Sequence, residues 1–344
     1  MDRKRTPISE LGEFGLIDRL TSGFTPIHAS TLKAVGDDAA VLAAGEKVLV
    51  VTTDMLLEGI HFNLIYTPLK HLGYKAVTVN LSDVFAMNAV PRQITVSIGV
   101  SARFPVEDIE ELYRGIRLAC ERYEVDLIGG DTVSSLTGLA ISVTAIGEAL
   151  PGEIVYRSGA GINDLICVSG DLGASYAGLQ VLEREKLLYN EDPDIQPDLQ
   201  GKEYILERHL KPEARGDVIR QLKEAGLKPT AMIDISDGLS SEIHHICRQS
   251  KAGCRIYQNK IPVDRATAAA AGEMNIEPLI CALHGGEDYE LLFTLPLQDY
   301  DKIKQIPGLT VIGKITTREE GCMLETETGT SVELVAQGWD AGRV

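Results

Sequence analysis

Six short segments of this chain set aspartate or glutamate beside glycine, serine or threonine. They are Gly36-Asp37-Asp38, Thr52-Thr53-Asp54, Asn80-Leu81-Ser82-Asp83, Gly129-Gly130-Asp131, Asp234-Ile235-Ser236-Asp237-Gly238 and Gly285-Gly286-Glu287-Asp288. Most of these acids fall at the end of an apolar run or at the mouth of an expected helix. Carboxylates drawn from segments so far apart repel one another and raise each other's pKa if they converge, unless a cation holds them together. Mg²⁺ suits the task, because it is a hard ion that prefers oxygen ligands and commonly bridges a few carboxylates to phosphates. The first expectation is therefore an enzyme that handles a Mg²⁺-nucleotide.

Each segment also has a plain structural explanation. Gly129-Gly130-Asp131 follows an apolar strand, so its backbone N–H groups could approach a phosphate while the carboxylate reaches a metal, or it could be a simple turn. In Asp234-Ile-Ser-Asp-Gly-Leu a strand leads straight into a helix, whose first turn can bind an anion while Asp234 and Asp237 bracket Ser236; the alternative is an N-cap by Ser236 or Asp237. Thr52, Thr53 and Asp54 read as strand-end groups capping a turn or as three oxygen ligands of one cation. His61, in Gly59-Ile60-His61-Phe62, is a substrate contact or a satisfied structural histidine, and the segment from Gly285 to Glu290 could be a turn before a strand. The set carries the reading, since every structural explanation must hold at once for a site to vanish. No GxxxxGK[ST] loop, no GxGxxG after a strand and no kinase catalytic loop occurs, so phosphoryl transfer here needs another scaffold.

The elements that must position these residues follow from periodicity. A short amphipathic helix is expected over 13–20, a valine-rich strand over 47–53 that delivers Asp54 to its carboxyl end, and a long helix opened by Pro68 and running to about Met87. On that helix Asn80 and Asp83 are i,i+3 neighbours and share a face. There follow a strand over 93–100, a helix from Pro105 to about Tyr123, a short buried strand over 126–128 ending in Gly-Gly-Asp, and a strand over 139–149. The pattern restarts with a strand over 162–169 and a helix over 173–186, then helices near 203–209 and 212–226, a strand over 231–235, a helix over 239–250, and strands over 289–295 and 309–315. Residues 189–201, acidic with two prolines and no apolar period, read as an exposed loop. At 344 residues the chain exceeds the usual single core, and domains over 1–150 and 151–344 are expected. The fold class is α/β of the α+β type: an N-terminal mixed sheet with helices on one face, then a C-terminal α/β domain.

A hydrophobic content of 44% with 24% charged residues is that of a soluble globular protein. The formal net charge of −17 excludes a nucleic-acid or anionic-membrane surface, which would need clustered Lys and Arg, and fits a metal-rich site. The six cysteines form no CxxC pair, so neither a zinc ribbon nor a thioredoxin-like motif is present, and they read as reduced, mostly buried thiols. The first residues are basic but lead into Thr-Pro-Ile-Ser-Glu rather than an apolar segment, and no run of 18 apolar residues occurs, so a cytoplasmic location is expected.

Taken in order, Glu13-Phe14, Val35-Gly-Asp-Asp-Ala, Thr52-Thr-Asp, Gly59-Ile-His-Phe, Ala76-Val-Thr-Val-Asn-Leu-Ser-Asp, Ile128-Gly-Gly-Asp-Thr, Arg157-Ser-Gly-Ala, Asp234-Ile-Ser-Asp-Gly-Leu and Gly285-Gly-Glu-Asp-Tyr-Glu resemble the motif series of the thiamine-monophosphate kinases. These belong to the aminoimidazole-ribonucleotide-synthetase-like superfamily of ATP-binding proteins. The resemblance runs from about residue 10 to Trp339. It implies a two-domain fold of that superfamily, a homodimer joined through the sheets of the first domains with active sites at the interface, and several Mg²⁺ ions. It further implies metal ligands at Asp38, Thr52, Thr53, Asp54, Asp83, Asp131, Asp234 and Asp237, of which Asp54, Asp131 and Asp237 are the catalytic ones. Nucleotide contacts are implied at Tyr113, Gly130, Asp131, Arg157 and Ser236, and substrate contacts at His61, Glu287 and Trp339. The chain departs from the pattern in ending without the family's phenylalanine after Trp339, in Asn163 where glycine is usual, and in the 189–201 segment, which looks like an insertion.

The activity implied is phosphorylation of thiamine monophosphate by ATP to give thiamine diphosphate. The acceptor is a phosphate oxygen already ionised at pH 7, so no general base is needed, in keeping with motifs rich in Asp and poor in His. Another member of the superfamily is the alternative within the enzyme class. The selenophosphate and hydrogenase-maturation members use a reactive Cys or selenocysteine near one end, which this sequence does not carry. A non-catalytic Mg²⁺-ATP sensor is the alternative outside that class.

Overall fold

The structure is a computed structural model that describes residues 12–336, so Trp339 lies outside the described residues. After helix α1 (Gly12–Thr21), the strands β1 (Thr31–Lys33), β2 (Ala40–Ala44), β3 (Lys47–Leu57), β4 (Val90–Val100), β5 (Asp126–Ser134) and β6 (Ala140–Ala149) form one sheet in the order β1-β2-β3-β6-β4-β5. All neighbours are antiparallel except β4 and β5, which run parallel and are joined by the crossover helix α3 (Val106–Tyr123). Alternation along β3 sends Val48, Val50 and Leu56 into the core.

Helix α2 (Leu69–Ala86) follows Pro68, whose extended ψ of 135° opens the helix, and it is buried on nearly every side. One side lies on the first sheet and another meets the second sheet at β8 (Ala231–Asp234). Its contact with α3 is made at backbone distance. A Cβ on Gly73 would fall 1.9 Å from the carbonyl oxygen of Leu112, and one on Gly115 the same distance from that of Lys70, so only glycine permits this crossing.

The second sheet comprises β7 (Leu165–Ser169), β8, β9 (Gly253–Tyr257), β10 (Leu291–Leu295), β11 (Leu309–Thr316), β12 (Cys322–Glu325) and β13 (Ser331–Glu333), in the order β13-β12-β9-β11-β7-β10-β8. Around it lie α4 (Ala174–Glu191), α5 (Glu203–Leu210), α6 (Gly216–Glu224), α7 (Leu239–Ser250), α8 (Arg265–Glu273) and α9 (Pro278–His284). Strands β7 and β10 are buried at every position, as central strands covered on both faces must be.

Several expectations change. Strand β3 keeps its pairing with β6 as far as Leu57, so Asp54 sits inside the strand and not at its carboxyl end. The expected short buried strand over 126–128 is instead the nine-residue edge strand β5, exposed at every position, with Gly129-Gly130-Asp131 inside the ladder rather than in a turn. Its apolar start suggested a cover that nothing among the described residues supplies. Gly130 is needed there for close approach, because a Cβ would lie 1.8 Å from the carbonyl oxygen of Val96. Helix α4 runs on to Glu191, so the irregular acidic stretch begins later than expected. The short strands β1, β2, β9, β12 and β13 carry too little periodicity to stand out in the sequence.

Candidate active site

Helix α2 brings the two sheets' acids together. Asn80 Oδ1 accepts the Asp54 backbone N–H at 2.9 Å, and Thr52 Oγ1 donates to Asp83 Oδ2 at 2.7 Å, which sets β3 against one side of the helix. Ser82 Oγ donates to Asp234 Oδ2 at 2.6 Å and ties the end of β8 to the same helix. Asp38 arrives on the loop before β2, where Arg157 Nη2 donates to its Oδ1 at 2.8 Å while the Arg157 backbone N–H donates to Asp37 Oδ1 at 3.0 Å. Carboxylate oxygens of Asp38, Asp83 and Asp234 consequently lie within 4.8 Å of one another.

These three acids are not charge-balanced by the protein. Burial pushes Asp38 up to about 7 despite Arg157, and Asp234 up to about 6 despite Ser82 and Arg157. Asp83 is raised well above the ordinary range by burial and then by Asp54 and Asp234. Asp38 Oδ2 is buried with no hydrogen-bond partner. An all-oxygen donor set of three acids facing a single arginine, with a buried lone pair unused, fits a hard divalent cation such as Mg²⁺.

The trio opens into a cavity of about 980 Å³, whose lining includes Asp38, Thr52, Thr53, Asp54, His61, Asp83, Arg157, Asp234, Ser236, Asp237 and Glu287. The Asp234–Gly238 and Gly285–Glu290 segments support each other on one wall. Glu287 N–H donates to Ser236 O at 2.7 Å, and Tyr289 N–H to Ile235 O at 2.9 Å. Gly286, at φ 72°, leaves room for this, since a Cβ would come 2.5 Å from the Ser236 oxygen. Ser236 Oγ and the Asp237 N–H both donate to Glu242 Oε1, at 3.3 and 3.0 Å, so a buried acid on α7 holds the loop. Thr53 alternates away from Thr52 and Asp54, and its hydroxyl donates to Val143 O at 3.0 Å across the ladder.

Elsewhere in the lining, Leu57 N–H donates to His61 Nδ1 at 3.0 Å, so the ring hydrogen sits on Nε2. Burial lowers the His61 pKa and keeps the ring neutral at pH 7. Glu287 takes a left-handed φ of 56° and pairs with Lys75 Nζ at 2.8 Å and His209 Nδ1 at 3.2 Å. Burial opposes its charge, but Lys75 and His209 outweigh burial and hold the carboxyl well below the ordinary range.

A family model for the AIR synthase related protein, N-terminal domain, matches residues 36–149. The thiamine-monophosphate kinase of Aquifex aeolicus is 35% identical over 91% of this chain and 94% of its own length. That of Bacillus subtilis is 33% identical over 96% of this chain and 99% of its own. The chain belongs to the thiamine-monophosphate kinase family. A solved structure of AaThiL complexed with AMPPCP and TMP covers 98% of this chain and 100% of that one, with a TM-score of 0.83 at 33% identity. The two mixed sheets are thus an AIR synthase-like α/β fold.

Not every position expected of the site from the sequence lies in the cavity. Asp54 pairs with Val143, Val143 with Val96, and Val96 with Gly130, so Gly130 and Asp131 stand three strand spacings from the acids, about 14 Å. Asp131 Oδ1 accepts its neighbour's N–H from Thr132 at 2.8 Å. Tyr113 packs from α3 against the core of the first sheet and does not line the cavity. Sequence reasoning also missed residues. Lys75, Ser82, His209 and Glu242 hold the site's acids in place, and the one available signal was Lys75, the single charged residue between Leu72 and Leu81.

Proposed function

We propose that this chain transfers the γ-phosphoryl group of ATP to the phosphate of thiamine monophosphate in the cavity between its two sheets, and that it does so as a homodimer. The Asp38–Asp83–Asp234 trio, facing a roomy cavity, is the observation that carries this reading. Asp38, Asp54, Asp83 and Asp234 would hold Mg²⁺, with Thr52, Thr53, Asp131 and Asp237 completing the shells of further ions. Bound there, Mg²⁺ supplies the charge neutralisation that lets two phosphates approach.

The chain's own side chains then orient the reactants. Arg157 pairs with Asp38 and lines the cavity together with Ser236, and both would face the nucleotide phosphates. His61 offers only an N–H, because its other nitrogen already accepts from Leu57. It can therefore hold a phosphate oxygen but cannot remove a proton. None need be removed, since the acceptor oxygen is ionised at pH 7. Glu287, kept ionised by Lys75 and His209, suits the fixed positive charge of a thiazolium ring. Asp54, Asp131 and Asp237 are the catalytic carboxylates of this reading, and Tyr113 and Gly130 its outer nucleotide contacts.

The dimer is supported by β5. An exposed edge strand carrying Leu127, Ile128 and Val133 at 44, 57 and 55% exposure invites a second copy, which would bring Gly130, Asp131 and Tyr113 to the partner's cavity. Cytoplasmic placement is supported by the need for ATP; among the described residues no helix is long and apolar enough to cross a membrane.

The test is ADP release from ATP and Mg²⁺ with thiamine monophosphate or thiamine as acceptor. Release with the monophosphate and almost none with thiamine, which has no ionised oxygen to accept the phosphoryl group, is expected. Nucleotide binding without any acceptor-dependent release would favour the sensor instead, and rapid use of free thiamine would reopen the identity of the acceptor.

A further inference from the structure

Far from the acids, the second sheet gathers three of the six cysteines. Cys247 lies near the end of α7, the chain reverses at Lys251 with a left-handed φ of 54°, and Cys254 follows on β9. Cys322, the first residue of β12, pairs directly with Cys254 in the parallel β9–β12 ladder. Their three sulfur atoms lie within 4.8 Å of one another, and none of the six cysteines is in a disulfide. Cys247 and Cys254 are buried in the sheet's apolar core, while Cys322 is partly open to solvent and provides an entry path. His244 precedes Cys247 by three residues on α7 and so shares its face. Its side chain neighbours Cys322, and its Nε2 lies 2.7 Å from the carbonyl oxygen of Leu334. A carbonyl can only accept, so Nε2 carries hydrogen and Nδ1 keeps the lone pair.

We propose that Cys247, Cys254, Cys322 and His244 form a binding site for a soft divalent cation, zinc, that clamps α7, β9 and β12 together. Four-coordinate zinc at about 2.3 Å from sulfur places its thiolates about 3.8 Å apart, so the trio need close by no more than about 1 Å. A histidine that ligates through one nitrogen while its other N–H is fixed by a backbone carbonyl is the arrangement such sites favour. The three thiols would release their protons to solvent on binding, leaving a site of net charge −1 with a neutral His244. Sulfur ligands also separate the two metals of this protein: Mg²⁺ has little affinity for thiolates, and none of the four residues lines the acidic cavity. Strands β12 and β13 form the outer edge of their sheet, with β13 only three residues long, so a cross-link from β12 to α7 fastens the part of the sheet with least packing.

The full-length chain, freed of metal with a chelator and reduced, is titrated with zinc and with cobalt in excess Mg²⁺. Expected are one zinc per chain, an intense thiolate-to-cobalt charge-transfer band, and a higher melting temperature on zinc addition. Cys322→Ser, at the solvent side and so least disruptive to folding, should lose the band and the zinc-dependent rise while keeping its circular dichroism and its acceptor-dependent ADP release. Cys120→Ser should keep both signals. His244→Ala should bind zinc at least about 10-fold more weakly. Absence of stoichiometric zinc, a cobalt band that survives in Cys322→Ser, or a disulfide formed within the trio of the air-handled protein and restored in preference to metal binding would overturn the proposal.

Discussion

Asp234 and Asp131 look alike in the sequence, each an acid that follows an apolar strand and small residues, yet the fold treats them in opposite ways. Asp234 closes a buried strand, is 3% exposed, accepts from Ser82 and crowds against Asp38 and Asp83. Asp131 lies on β5, where all nine residues are exposed and its Oδ1 accepts the neighbouring backbone N–H. The difference is in what covers the strand. At β8, helix α2 and the loop carrying Asp38 close over the acid within one chain, whereas at β5 nothing among the described residues does. An acid already buried among like charges is poised for a cation, and an acid on a bare apolar edge is poised for another surface.

The largest effect that would test this contrast is on turnover. Asp54→Asn should lower kcat by at least on the order of 10³-fold with circular dichroism unchanged, since it weakens the carboxylate set meant to hold metal between phosphates. A variant with near-native rates at saturating ATP and moderate Mg²⁺ would remove Asp54 from the site. Next comes complementation. Asp131→Asn should also be inactive, but an equal mixture of re-associated Asp54→Asn and Asp131→Asn chains should regain about a quarter of wild-type activity, because half the dimers are mixed and each of these has one intact site when Asp131 serves the partner. No recovery on re-mixing would place both acids in the same chain's site.

A smaller effect concerns pH. The folded pKa values of Asp38 and Asp234 are raised from 3.8 to about 7 and about 6. The metal-free folded protein thus keeps protons that the unfolded chain has released. The contribution of Asp38 and Asp234 to stability is full below about pH 4 and is lost as pH rises through about 6 to 7. Mg²⁺ competes with those protons, so the gain in melting temperature on adding it should be larger at about pH 8 than at about pH 5, by about 2–5 °C. A gain independent of pH would show that the cation does not bind at these acids.

The smallest effect is expected where neither kind of acid stands. Removing several residues from the exposed stretch between Glu191 and Lys202 should change kcat and KM by less than about twofold, since closure entropy varies slowly with loop length. A rise of KM for either substrate beyond that would make the segment a lid.

Much of this was open to reading in one dimension. Proline, valine runs and i,i+3 spacing are local, so α2, α3, β3 and the strand-to-helix passage at Asp234 follow from them, as does Asn80 sharing a face with Asp83. The acids themselves announced a metal-nucleotide site by type and neighbours. Convergence did not follow from them. That Ser82 would meet Asp234, 152 residues away, or Lys75 meet Glu287, depends on how two sheets seat on one helix. Burial was equally out of reach at β5, where an apolar start implied a cover and the strand order left it at the edge. The thiols make the same point. Cys247, Cys254 and Cys322 have no metal-site spacing in the sequence, and only the parallel register of β9 with β12 beside α7 sets their sulfurs together. Backbone periodicity decides which way a side chain points, but its neighbours are decided by register and packing between distant segments, and a charge or a thiol takes its chemistry from those neighbours.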